Sequence, residues 1–107
     1  MPAEIQTLSK TFDNQLKGIH IQNLTSKLKK SLNVPKRITG VVITDIEDDS
    51  PAQGILMRED IIMEINKKEI NSIKDYESAA SKIKPNEDIL LLVYRQNSTL
   101  YVTLSVR

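Results

Sequence analysis

The chain has 107 residues, 15 Lys and Arg against 14 Asp and Glu for a net charge of +1, and no cysteine. That is the length of one domain with a single buried core. It excludes a disulfide framework and a thiolate metal site, offers no charge excess to attract an oppositely charged partner, and holds no apolar run near the ~20 residues of a membrane span.

Residues 1–13 are polar without sustained periodicity and read as a linker or N-terminal extension, leaving 14–107 as the domain. Met1-Pro2-Ala3-Glu4 lacks the basic-then-apolar profile of a signal peptide. Gln15 to Gln22 is the first strand candidate, with Ile19 and Ile21 on one face and His20 on the other. Thr25 is placed to cap a short helix through Leu32, with Leu24, Leu28 and Leu32 on one stripe. Pro35 then enforces an extended exit.

Gly40 to Ile46 is a β-branched strand. Ser50-Pro51 is a cap followed by proline at a first helical position, which predicts a short helix. Asp60 to Ile65 is the next strand, and Asn66-Lys67 turns the chain towards Glu69-Ile70. Ser72-Ile73-Lys74-Asp75 has the form of a capping box. The helix it opens carries Ile73, Tyr76, Ala80 and Ile83 on one side and stops at Pro85. Ile89 to Arg95 is nearly all apolar, as a strand buried on both faces would be. Gln96-Asn97-Ser98 is a tight connection. Beyond it, Leu100, Val102, Leu104 and Val106 face one way and Tyr101, Thr103 and Ser105 the other. Five to six short strands with two main helices predict an α+β fold, a small half-open β-barrel or sandwich.

Two charged clusters read as solvated surface. Asp45, Glu47, Asp48 and Asp49 lack the spacing and glycine of a calcium loop, so no metal site is expected. Lys27, Lys29, Lys30, Lys36 and Arg37 have none of the aromatic platforms of a nucleic-acid binder, and no nucleic-acid partner is expected.

Ser50-Pro51-Ala52, then Glu59-Asp60-Ile61-Ile62, then Ile65-Asn66-Lys67-Lys68-Glu69-Ile70, then Tyr76 follow each other in an order that resembles the middle of a PDZ domain of the HtrA/Deg serine proteases. The resemblance runs from about residue 15 to residue 107 and implies the bacterial, circularly permuted PDZ arrangement. The glycine that the family has before its aspartate is Glu59 here, and the one after Asn66 is Lys67. A side chain held in the left-handed conformation costs about 1–2 kcal/mol, so both turns are expected to be rebuilt.

Leu16-Lys17-Gly18-Ile19 sits where the family places its carboxylate-binding loop. A terminal carboxylate needs backbone N–H donors converging on one point, and Gly18 lets the chain bend so that they do. Lys17 either adds charge there or is simply solvated. Ile19-His20-Ile21 offers an edge that an extended peptide can lengthen by strand addition. The resemblance makes the capped helix the other wall, with Tyr76, Ala80 and Ile83 facing the peptide. Ile19, Ala80 and Ile83 would hold an aliphatic last side chain such as Val, Leu or Ala. The plainer reading makes Ile19, Ile21, Ala80 and Ile83 ordinary core.

One histidine and no glycine-flanked serine exclude a protease triad in this chain, so no catalytic residue and no cofactor are expected. The resemblance implies a non-catalytic module, the second and C-terminal PDZ domain, of a periplasmic HtrA/Deg-type serine endopeptidase of protein quality control. Its partners would be peptides or unfolded-protein segments. The alternative is an assembly domain that docks neighbouring PDZ or protease domains of the same oligomer and binds no free peptide. Membrane insertion is not expected.

Overall fold

A computed structural model describes residues 16–105. The linker assigned to 1–13, and Val106 at the end of the last strand, lie outside the described residues. Six strands and two helices follow the predicted order: β1 (Ile19–Asn23), α1 (Ser26–Ser31), β2 (Val41–Ile46), β3 (Ile61–Ile65), β4 (Lys68–Glu69), α2 (Ile73–Ala80), β5 (Ile89–Arg95) and β6 (Ser98–Leu104). They make one antiparallel sheet in the order β1-β2-β3-β5-β6, with the short β4 paired to β3. The sheet does not close into a barrel, so β1 and β6 are its two long edges, beside the two-residue β4 that pairs only with β3.

The period of two along the strands sends apolar residues to both faces. Ile21, Val41, Ile43, Ile62, Ile65, Leu91, Val93 and Leu104 join the main core together with Tyr76 and Ala80 of α2. Val42, Ile61 and Tyr94 form a second, smaller core on the other face with Val34 and Ile38. The α1 stripe of Leu24, Leu28 and Leu32 packs against that second core. Thr25 caps α1 by accepting from Leu28 N–H at 3.2 Å.

Four expectations change. The helix predicted at Ser50-Pro51 is a run of turns. Leu56 N–H does donate to Ala52 O at 2.9 Å, but Gly54 at φ +83° stops the turn from propagating. The second helix ends at Ala80 with Ser81 as its cap, well before Pro85, and Ile83 N–H then bonds Ala80 O in a tighter turn. The turns at Glu59 and Lys67 are not rebuilt: both residues keep the left-handed conformation, at φ 72° and 70°. Finally, β5 is fully buried on one face, and on the other only at Tyr94. Leu90 and Leu92 are half-exposed, because no helix covers the sheet at that end.

Candidate functional site

The loop Leu16–Gly18 enters β1 under control of residues from the other side of β2. Ser50, itself buried, donates its hydroxyl to Lys17 O at 2.5 Å and accepts from Ala52 N–H at 3.1 Å. Glu47 N–H donates to Gly18 O at 2.8 Å. Gly18 sits at φ +80°, and a Cβ there would lie 2.9 Å from Ser50 Cβ. The backbone bend thus depends on glycine twice, for its conformation and for the close approach of the serine. Ser50, a helix cap by sequence pattern, is a strut under the loop.

β1 pairs on one side with β2. The Gly18 and His20 carbonyls face β2, accepting from Glu47 N–H and from Thr44 Oγ1 at 3.2 Å. Strand alternation turns those of Ile19 and Ile21 to the outer edge. α2 packs beside this strand. Its first residue, Ile73, donates its N–H to Asn23 Oδ1 at 2.8 Å, tying the end of β1 to the start of the helix. The capping box forms in part: Ser72 Oγ accepts from Asp75 N–H at 3.3 Å, while Asp75 Oδ2 reaches back to Asn71 N–H at 2.9 Å.

Every apolar residue assigned to the site lies in one cluster: Leu16, Ile19, Ile21, Tyr76, Ala80 and Ile83. All six are buried, and Ile83 is the most accessible at 9%. It reaches the cluster from the turn after α2 rather than from the helix. Burial also pushes the Tyr76 phenol well above its ordinary titration range. The polar members stand outside. Lys17 is exposed, and His20 Nε2 lies 2.9 Å from Glu47 Oε2 with both side chains half in solvent.

The aspartate of the sequence motif does something the sequence did not indicate. Asp60 is almost wholly buried and holds Arg95 through two bonds, Nε to Oδ1 at 2.8 Å and Nη2 to Oδ2 at 2.6 Å. Those bonds hold the Arg95 guanidinium even more firmly protonated than usual. Arg95 also reaches Ile55 O, and Asp60 Oδ2 accepts from Met57 N–H at 2.9 Å. The clamp ties the turn region 50–60, which carries Ser50, to the end of β5. Asn23, Ser50 and Arg95 carry no local signal, since each acts on a partner more than 30 residues away.

Comparison with known proteins agrees with this geometry. The family model described as PDZ domain matches residues 16–106. A probable periplasmic serine endoprotease, DegP-like, of Rickettsia prowazekii (strain Madrid E) is 34% identical over 93 residues, which cover 83% of this chain and 17% of the relative. Its counterpart in Rickettsia conorii is 36% identical over the same shares. The chain therefore spans less than a fifth of the length of these relatives. Among solved structures, the HtrA-type protease AlgW with a decapeptide superposes with a TM-score of 0.72 at 26% identity, over 84% of this chain and 28% of that one. The HtrA3 PDZ domain bound to a phage-derived ligand (FGRWV) superposes at 0.69 over 97% and 88%, with 18% identity, a likeness of fold. With its sheet order, its Gly18 loop beside α2 and these matches together, the chain belongs to the PDZ domain family and is homologous to the PDZ region of DegP-like serine proteases, a part that carries no catalytic residues.

Proposed function

We propose that this domain binds extended or C-terminal peptide segments by strand addition to β1, as part of an HtrA/Deg-type serine endopeptidase of protein quality control in the periplasm. The observation that carries the reading is the edge position of β1, with the strutted Gly18 loop at one end and α2 alongside. An incoming strand would pair with the outward carbonyls of Ile19 and Ile21, and its terminal carboxylate would meet the N–H groups of the loop. Ile19, Ala80 and Ile83 border the place of the last side chain and favour an aliphatic one. The solved relative AlgW, seen with a decapeptide, supports the substrate class.

The test is an NMR titration with free-acid peptides ending in Val, Leu or Ala. Shifts are expected at Gly18, Ile19, His20 and Ile21 and from Tyr76 to Ile83. Amidating the peptide C-terminus should weaken binding about tenfold or more, the scale of a charge-assisted hydrogen bond. Ile83→Asp should abolish binding. Unchanged affinity in that variant sinks the groove assignment, and indifference to amidation leaves only internal strand pairing.

A second reading has an observation in its favour. The apolar residues of the groove are closed on one another, so a free peptide must part Ile83 from the cluster to seat its last side chain. The same surface would then dock a neighbouring PDZ or protease domain and organise the oligomer, the role of a second PDZ domain. A silent titration in a folded sample favours this reading.

A further inference from the structure

The two edges of the sheet are treated differently. β1 is short, has a bulge in its pairing with β2 and lies beside α2. β6 is seven residues long, pairs in regular register with β5 and, among the described residues, has no neighbour on its other side. Exposed edges are ordinarily blunted by lysine, proline, a bulge or a covering segment. Ser98 through Ser105 contains no charge, no proline and no glycine, and Thr and Val in it favour the strand.

The two-residue turn Gln96-Asn97 makes Arg95 and Ser98 the flanking pair of the hairpin, the one that exchanges hydrogen bonds. Alternation then points the N–H and C=O groups of Thr99, Tyr101 and Thr103 to the open edge. The side chains of these three residues are also exposed, Tyr101 to 60%. Thr-Tyr-Thr reads the same in both directions. Tyr101 sits across from the half-exposed Leu92 of β5, on the face that no helix covers at this end of the sheet.

We propose that β6 pairs antiparallel with β6 of a second copy of this chain, about a twofold axis at Tyr101, to give one continuous sheet. In that register Tyr101 meets its counterpart, Thr99 meets Thr103 of the second copy twice over, and Leu100 meets Val102. Aromatic and Thr–Thr cross-strand pairs of this kind are favourable, and a self-complementary row is what an isologous contact requires. No like charges are brought together. The contact is one strand edge with Tyr101 and Leu92, well under the ~1,200 Å² of a stable complex, so it forms at high concentration or where copies are already held close. It leaves β1, at the far end of the sheet, free for the groove.

The experiment is sedimentation equilibrium of the whole chain up to about 1 mM, with two double variants at exposed positions that leave the core untouched. Thr99→Lys with Thr103→Lys places lysine opposite lysine and should raise the dimer dissociation constant at least tenfold. Thr99→Glu with Thr103→Lys places glutamate opposite lysine and should keep or tighten the dimer. A wild-type chain that stays monomeric throughout overturns the proposal. So does equal weakening by both variants, which would put the register elsewhere, or no effect from either, which would put the contact on another surface.

Discussion

Single side chains that reach across the fold set the geometry here, and two aspartates show how much their surroundings decide. Asp60 and Asp45 each hold an arginine. The Asp60 side chain is 2% exposed, its arginine is held by two bonds, and one oxygen also takes Met57 N–H. Its removal strands a part-buried guanidinium and a backbone donor. Asp60→Ala should therefore destabilise by about 3 kcal/mol, the lower end for a broken buried pair because Arg95 retains some access to water. Asp45 and Arg58 are both more than half in solvent, and Asp45→Ala should cost no more than about 0.5 kcal/mol. Urea unfolding of the two variants checks the contrast; equal losses would mean that Asp60 is no clamp. Ser50 belongs to the same class, since its hydroxyl fixes the Lys17 carbonyl from 33 positions away.

Among the elements, those whose cause is local were legible and those whose cause is distant were not. The alternation of β6, the Thr25 and Ser72 caps and the Leu24-Leu28-Leu32 stripe all stand where periodicity and capping chemistry put them. The helix at Ser50-Pro51 failed because Gly54 interrupts it and the Ser50 hydroxyl is spent on Lys17. The second helix stopped early, at Ala80, although Ile83 still joined the core its spacing assigned to it. In the candidate site, the clustering of the apolar residues was readable from order and spacing. The tie between Asn23 and Ile73 was not, because no pattern within one element encodes it. The turns at Glu59 and Lys67 are the instructive miss. Tertiary bonds from Glu59 N–H to Ile43 O and across the β3–β4 connection hold them left-handed despite their side chains. Relief of about 1–2 kcal/mol of strain, less the greater freedom of glycine in the unfolded chain, should make Glu59→Gly and Lys67→Gly each more stable by about 0.5–1 kcal/mol. Denaturant midpoints that fall instead would show that neither turn is strained.

At the scale of the whole molecule, the residues proposed to line the groove belong to the main core, which makes their state readable from stability. Tyr76 lies at the centre of that core, and burial alone holds its phenol above the usual value near 10. Below pH ~10 the phenol is protonated in both folded and unfolded chains and adds no pH dependence. Above it the unfolded chain gives up the proton while the folded chain keeps it. The unfolded state then binds fewer protons, so stability falls as pH rises, by up to about 1.4 kcal/mol per pH unit from this residue. Lysines titrate in the same range, so the difference between the wild type and Tyr76→Phe is the informative quantity. Urea unfolding from pH ~9 to ~11 should show the wild type losing stability faster than the variant above pH ~10. Parallel curves would mean that Tyr76 meets water in the folded state, and hence that α2 swings away from β1 without a ligand. A divergence fixes the closed arrangement as the resting state, and any peptide that binds beside β1 must then open it.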